Sequence, residues 1–430
     1  MTVVRVADLP PDPLAIARAF VGRPGLAVLA SRPAGAPRPD DARWSFVACE
    51  PVESSDALVP PGGGERQDRG SPRWIGVVPY EATRALERPA WTRHPDRRAA
   101  WGLARPAWRR YAAIVRVDHA TGEVAVEADD ARSAQALVRL VKATAPAAAR
   151  GRCVLRVLPP DEPDAAHLDR VREALRLIAA GDLYEVNLAR RIALTLRGDP
   201  LALFASLLDA APAPWGFLQD LGETVVCGAS PELALSVRGD ALRTCPIKGT
   251  RPRGRDAEED AALARALDAD PKERAELTMA VDVHRSDLGR VAVPGTVRVP
   301  GEPRLLRGPT VWSRVAEVVA RRAPGASLDD VARAALPCGS VTGAPKVRAM
   351  EVIAALEPWR RGVYTGAFGY VGRDGRLELA MAIRTLEIQG VEPERSACYF
   401  AGGGIVADSV PERELEETRW KAVQLGRLGE

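Results

Sequence analysis

At 430 residues the chain is long enough to bury a large core and to hold more than one unit of ordinary size. Its hydrophobic fraction of 46% and charged fraction of 27% are ordinary for a globular protein, and a net charge of +3 excludes the strongly basic surface of a general nucleic-acid binder. The six cysteines include no C-x-x-C pair, which argues against a zinc site and for reduced, mostly buried thiols. No apolar run approaches the ~18 residues of a membrane span. The first residues do not read as a signal peptide, so the expected location is cytoplasmic.

A first unit, 1–158, is punctuated by proline and glycine. Residues 12–20 read as a short helix, and 25–31, 43–49, 74–80 and 112–117 as strands. A glycine-rich loop follows at 60–66. Residues 131–144 form an amphipathic helix with Ala134, Leu137, Val138 and Val141 on its apolar stripe. Trp74, Trp91, Trp101 and Trp108 read as core anchors.

A second unit, 159–430, opens with a helix over 164–180 that Gly181 stops, then a strand over 183–192 and a helix over 200–208. Next, Ser230-Pro231-Glu232 leads into an alternating run (Leu233, Leu235, Val237), a turn at Gly239, and a second run to Ile247. This pattern predicts a β-hairpin that returns Lys248 towards Glu232. Five lysines occur among 60 Lys and Arg, so a lysine here is unusual for this chain. An amine, unlike a guanidinium, loses its proton at accessible pH and can attack carbon; Glu232 beside it is a proton donor or acceptor.

Helices are expected over 257–267, 271–283, 347–356 and 411–428. Glu273 and Glu276 share a face of the second at i, i+3 spacing, and Glu414 and Glu417 repeat that spacing in the last. Two such pairs suit one Mg²⁺, a hard cation that prefers oxygen; the alternative is two solvated acidic faces. Gly339 to Lys346 is a glycine-rich turn at a helix start that departs from the Walker spacing, and still suits an anion. Gly402-Gly403-Gly404 reads as a rigid turn whose bare N–H groups suit a carboxylate, with Arg384 as a bidentate clamp.

These segments occur in one order: 181–188, Ser230-Pro231-Glu232, Pro246-Ile247-Lys248-Gly249-Thr250-Arg251-Pro252, 276–290, 339–346, 364–367, 382–385, and 401–409 followed by Glu414 and Glu417. Over about 165–425 they resemble the chorismate-utilising enzymes, which include anthranilate synthase large subunits, aminodeoxychorismate synthase component I, and isochorismate and salicylate synthases. Residues 43–46 and 76–81 extend the resemblance more loosely into the first unit. It implies an α+β fold of large antiparallel β-sheets packed against each other with helices outside.

Within the family, lysine rather than alanine at 248 points to aminodeoxychorismate synthase component I, the large subunit of para-aminobenzoate synthase in folate biosynthesis. The resemblance then implies that Lys248, its pKa lowered by burial, attacks ring carbon 2 of chorismate while Glu232 protonates the departing hydroxyl at carbon 4. Ammonia from a separate glutamine amidotransferase subunit completes 4-amino-4-deoxychorismate. Glu276 and Glu417 would hold Mg²⁺ with Glu273 and Glu414 behind, and no organic cofactor is implied. Arg384, Tyr364, Gly402, Gly403 and Gly404, with Thr342 and Lys346, would hold the substrate. The alternatives are anthranilate synthase component I, or a chorismate-binding protein without turnover. Departures from the family pattern are Ser313 in place of histidine, Ser286 in place of asparagine, and Glu185 where glutamine or lysine is usual.

Overall fold

The computed structural model describes residues 1–430 except Asp8, Ala34, 63–70, 87–97, 144–150 and 429–430. Trp91 and most of the 60–66 loop lie outside the described residues. Two large antiparallel sheets form the frame. The first has twelve strands and runs Thr2–Arg5, Val124–Ala128, Ala113–Asp118, Trp44–Ala48, Ala27–Ala30, Trp215–Asp220, Thr224–Ser230, Thr385–Gln389, Arg395–Ile405, Glu185–Gly198, Gly343–Ala344, with Cys153–Val157 also paired to Glu185–Gly198. The second has eight and runs Val318–Arg321, Ala241–Cys245, Leu233–Arg238, Leu377–Met381, Ala367–Gly372, Pro72–Val78, Ala107–Arg110, Glu53–Ser55. A small third sheet joins Ile247–Pro252, Val311–Val315 and Arg304–Arg307. Strands from both sides of residue 158 are neighbours in both large sheets.

The period-two alternation of each strand sorts its residues between two cores. In the first sheet Ala27, Phe46, Phe217 and Val226 face inward, where they meet Ile75, Val77, Phe368 and Ala380 of the second. Phe217 stacks on Phe368 with ring centroids 4.7 Å apart. The alternate residues Val28, Val47 and Cys227 face outward, under the helices Pro13–Arg18, Ala131–Ala143 and Pro200–Ala210. On the outer face of the second sheet, Leu277, Val281 and Leu288 of the helix Pro271–Gly289 pack with Val331 and Ala335 of Leu328–Ala335. The helices Asp164–Ala179 and Lys346–Leu356 cover Val186 and Leu188.

Trp74 and Trp108 are core residues, and all six cysteines are free and buried. No described helix is long and apolar enough to cross a membrane.

One local expectation fails. Gly402, Gly403 and Gly404 form no turn; they lie in the continuous strand Arg395–Ile405, opposite Ala189, Leu188 and Asn187. A glycine run reads as a turn because nothing in it alternates. Here the missing side chains make room for those of neighbouring elements.

Candidate active site

The hairpin forms with Leu233 opposite Cys245. Glu232 therefore sits at the mouth of one strand and Lys248 three residues past the other, where the chain has crossed into the small third sheet. Glu232 is 3% exposed, and Ser340 Oγ donates to its Oε1 at 2.6 Å. Burial pushes its pKa up to about 7, against the opposing pull of Ser340 and the Lys248 charge. A carboxyl poised there is suited to proton transfer near neutral pH.

Lys248 donates to Glu185 Oε1, and the side chains are 9% and 2% exposed. Burial alone lowers an ammonium pKa, but Glu185, Glu276 and Glu232 together outweigh it, so the pKa of Lys248 lies above its ordinary value. This lysine is a cation held by acids. Glu185 is the residue whose part in the site the sequence pattern left unassigned. It begins the long strand Glu185–Gly198, on which alternate positions face the same side.

The glycine strand lines this cluster. A Cβ added at Gly404 would lie 2.7 Å from Glu185 Oε1 and 3.2 Å from Lys248 Nζ. At Gly403 it would meet Glu414 and Glu417, at 3.3 and 3.5 Å, and at Gly402 the Tyr364 hydroxyl and Asn187 Oδ1, both at 2.8 Å. Tyr364 is fixed by stacking on Phe400, with centroids 5.3 Å apart. Gly402→Ala is therefore expected to cost about 1–3 kcal/mol of stability by overpacking. It should also raise the KM of the substrate several-fold, as checked by urea unfolding and steady-state kinetics.

The two acid pairs come together around one lysine. Lys272 Nζ lies 3.7 Å from Glu276 Oε1 and 3.5 Å from Glu414 Oε1, which joins the helix Pro271–Gly289 to Pro411–Ala422. Burial raises the pKa of Glu276 to about 7, with Lys248 opposing and Glu185 adding to the shift. Burial also raises Glu414, whose Oε2 has no hydrogen-bond partner. Glu417 is pushed up by burial and pulled down further by Lys421, 2.6 Å away, so its pKa ends below the ordinary carboxylate value. Glu273 is paired with Arg251 at 2.9 Å.

Among the described residues no group of three His, Cys, Asp or Glu side chains is arranged to hold a metal ion. The donor set nevertheless fits a hard divalent cation. It is all carboxylate oxygen, and one of those oxygens is buried without a hydrogen bond.

The remaining candidates are placed as follows. Arg384 adopts a left-handed φ of 52° just before the strand Thr385–Gln389. No acid among the described residues pairs with its guanidinium. It stands three residues after Met381, whose N–H donates to Glu232 O at 3.0 Å. Thr342 is fully buried with its hydroxyl donating to Cys338 O at 2.8 Å, and Lys346 is buried against Asp287 at 2.7 Å. Both spend their polar atoms inside the protein. Ser286 is exposed on its helix, and Ser313 lies opposite Thr250 in the small sheet.

The sequence of residues 39–426 matches the family model described as chorismate binding enzyme. Anthranilate synthase component 1 of Streptomyces coelicolor is 40% identical over 369 residues, 81% of this chain and 71% of that protein. The Thermus thermophilus protein of the same name is 45% identical over 271 residues, 61% of this chain and 58% of its own length. Most curated relatives are matched over only about half of their length, as with 51% of the Aquifex aeolicus protein. Anthranilate synthase component I from Streptococcus pneumoniae superposes with a TM-score of 0.76 at 27% identity, over 89% of this chain and 92% of that one. The menaquinone-specific isochorismate synthase MenF of Escherichia coli has the same fold, with a TM-score of 0.76 at 20% identity, over 100% of this chain and 94% of that one.

The relatives overturn the aminodeoxychorismate synthase activity expected from Lys248, and with it the para-aminobenzoate and folate terms: they carry the name anthranilate synthase component 1. The expected mechanism also needs an uncharged amine at 248, whereas Lys248 donates to the Glu185 carboxylate, a contact that favours the ammonium.

Proposed function

This chain belongs to the chorismate binding enzyme family, and from that premise we propose that it is the chorismate-converting component of an anthranilate synthase. The reaction would join chorismate and ammonia to give anthranilate, pyruvate and water. The observation that carries this reading is the 40% identity to the Streptomyces anthranilate synthase component over 81% of the chain.

Forming anthranilate requires a nitrogen on the carbon beside the ring carboxylate and loss of the ring hydroxyl. Hydroxide is a poor leaving group, so the departing oxygen must receive a proton. In this reading Glu232 gives it, supported by its burial, its pKa of about 7 and its hydrogen bond from Ser340. Arg384 is the carboxylate clamp in this reading, because its guanidinium has no acid among the described residues to neutralise it. The substrate lies beside the strand through Gly402, Gly403 and Gly404, whose missing side chains let Tyr364, Glu185, Lys248, Glu414 and Glu417 converge on one site. Glu276, Glu414 and Glu417, with Glu273 behind them, would hold Mg²⁺, which when bound neutralises substrate carboxylate charge.

The ammonia source in this reading is a separate glutamine amidotransferase. The chain itself has no G-x-C-x-G nucleophile setting.

The test is incubation of the purified chain with chorismate, ammonium and Mg²⁺. Anthranilate fluorescence is expected without any added lyase. Chorismate loss that gives fluorescence only after a lyase is added, or no chorismate loss at all, would refute the reading.

A further inference from the structure

The acids assigned to the divalent cation surround a side chain that no step of the proposed reaction uses. Lys272 lies in the first turn of the helix Pro271–Gly289, and its ammonium stands between Glu276 Oε1 and Glu414 Oε1, at 3.7 and 3.5 Å. Glu276 and Glu414 come from helices far apart in sequence. Glu414 is 4% exposed, and its second oxygen has no hydrogen bond. The lysine itself is 39% exposed at its side chain, so its flexible stem has a direct route to solvent.

We propose that Lys272 is a place-holder cation. In the metal-free chain its ammonium occupies the gap between the two acidic helices, and it swings out to solvent when a divalent cation takes that gap. Two consequences follow from charge and position. Without any cation, carboxylates gathered from two helices repel one another, and the lysine relieves that repulsion. The same ammonium must be displaced before Mg²⁺ can bind, so it weakens the apparent affinity for the metal. Lys272 is thus a positioning residue: it keeps the acids assembled and sets the Mg²⁺ concentration at which the site fills. The inference rests on the assignment of a divalent cation to these acids and not on the product formed, so failure to make anthranilate would leave it standing.

The experiment is Mg²⁺ titration of the purified full chain by calorimetry, without substrate, for the wild type, Lys272→Gln and Lys272→Arg. Lys272→Gln should bind Mg²⁺ about tenfold more tightly or better, since one unit charge within a few ångströms is removed. The metal-free Gln variant should also melt below the wild type and gain more on adding Mg²⁺. Lys272→Arg keeps the charge and should stay within about threefold of wild-type affinity.

Amine-reactive labelling with peptide mass mapping gives a readout independent of stability. With five lysines in the chain, each site is resolved separately. Labelling at Lys272 should rise on saturation with Mg²⁺, while Lys346, held against Asp287, stays protected. Equal Mg²⁺ affinity in Lys272→Gln and wild type, unchanged Lys272 labelling, or no Mg²⁺ binding to any of the three proteins would overturn the proposal.

Discussion

Glu232→Gln should lower kcat for chorismate consumption by about 10³-fold, within the range that loss of a general acid produces, while the substrate still binds. The glutamine keeps the shape and can still accept from Ser340 Oγ, the contact made at 2.6 Å by Glu232. It has no proton to release to a departing hydroxyl. Isothermal titration with chorismate and stopped assays of its loss separate the two effects. Turnover within tenfold of the wild type would remove Glu232 from the proton-transfer role.

The pH profile carries the same assignment. An acid catalyst works in its protonated form, and Glu232 has a pKa of about 7. Its contribution to turnover should be level below that value and fall tenfold per pH unit above it. Stability follows from linkage with the sign worked through. Burial raises the folded pKa above the ordinary value of 4.5, so between about 4.5 and 7 the folded chain holds more of this proton than the unfolded chain. Stability therefore decreases as pH rises through that window. Glutamine removes this term, so the stability of Glu232→Gln relative to wild type should improve from pH 5 to pH 8 in urea titrations.

The elements that strand and helix periodicity define are legible in the sequence. The expected helix over 131–144 is Ala131–Ala143, that over 164–180 is Asp164–Ala179, and the strands near 43–49 and 74–80 are Trp44–Ala48 and Pro72–Val78. Each presents one apolar face to a neighbour, and that face is what the pattern records. The hairpin is legible for the same reason, up to Cys245. Past that point the local pattern says nothing about partners, and the strand Ile247–Pro252 pairs with Val311–Val315 in another sheet.

The electrostatic character of the site is set by just such distant pairings. Lys248 and Glu185 are 63 residues apart, and Lys272 and Glu414 meet through two helices, Pro271–Gly289 and Pro411–Ala422, that are far apart in the sequence. A lysine alone in the sequence reads as an amine that burial would neutralise. Only the fold shows the acids that keep it charged. Likewise, the acid pairs are visible from their i, i+3 spacing, but the cation standing between them is not.

The Lys248–Glu185 pair should behave in stability measurements as one unit. Both side chains are nearly enclosed, so removing one partner takes from the other its hydrogen-bonded counter-charge. Glu185→Ala is expected to cost about 3–5 kcal/mol, the usual consequence of breaking a buried pair from one side. Lys248→Ala removes a cation that Glu276 and Glu232 also feel, which leaves three acids facing one another. It should be destabilising as well. In the double variant neither charge is stranded, and its cost should fall short of the sum of the single costs by about 2 kcal/mol. Urea unfolding of the four proteins supplies the cycle, and simple additivity would mean that the two side chains are not coupled.

The same proteins test the charge state of the lysine. An ammonium has no lone pair with which to attack carbon. Intact-mass measurement of wild type under turnover with chorismate should therefore show no added mass on the chain. A chorismate-derived adduct that disappears in Lys248→Ala would mean that the lysine sheds its proton despite Glu185, and that the pair is a masked nucleophile instead of a fixed charge.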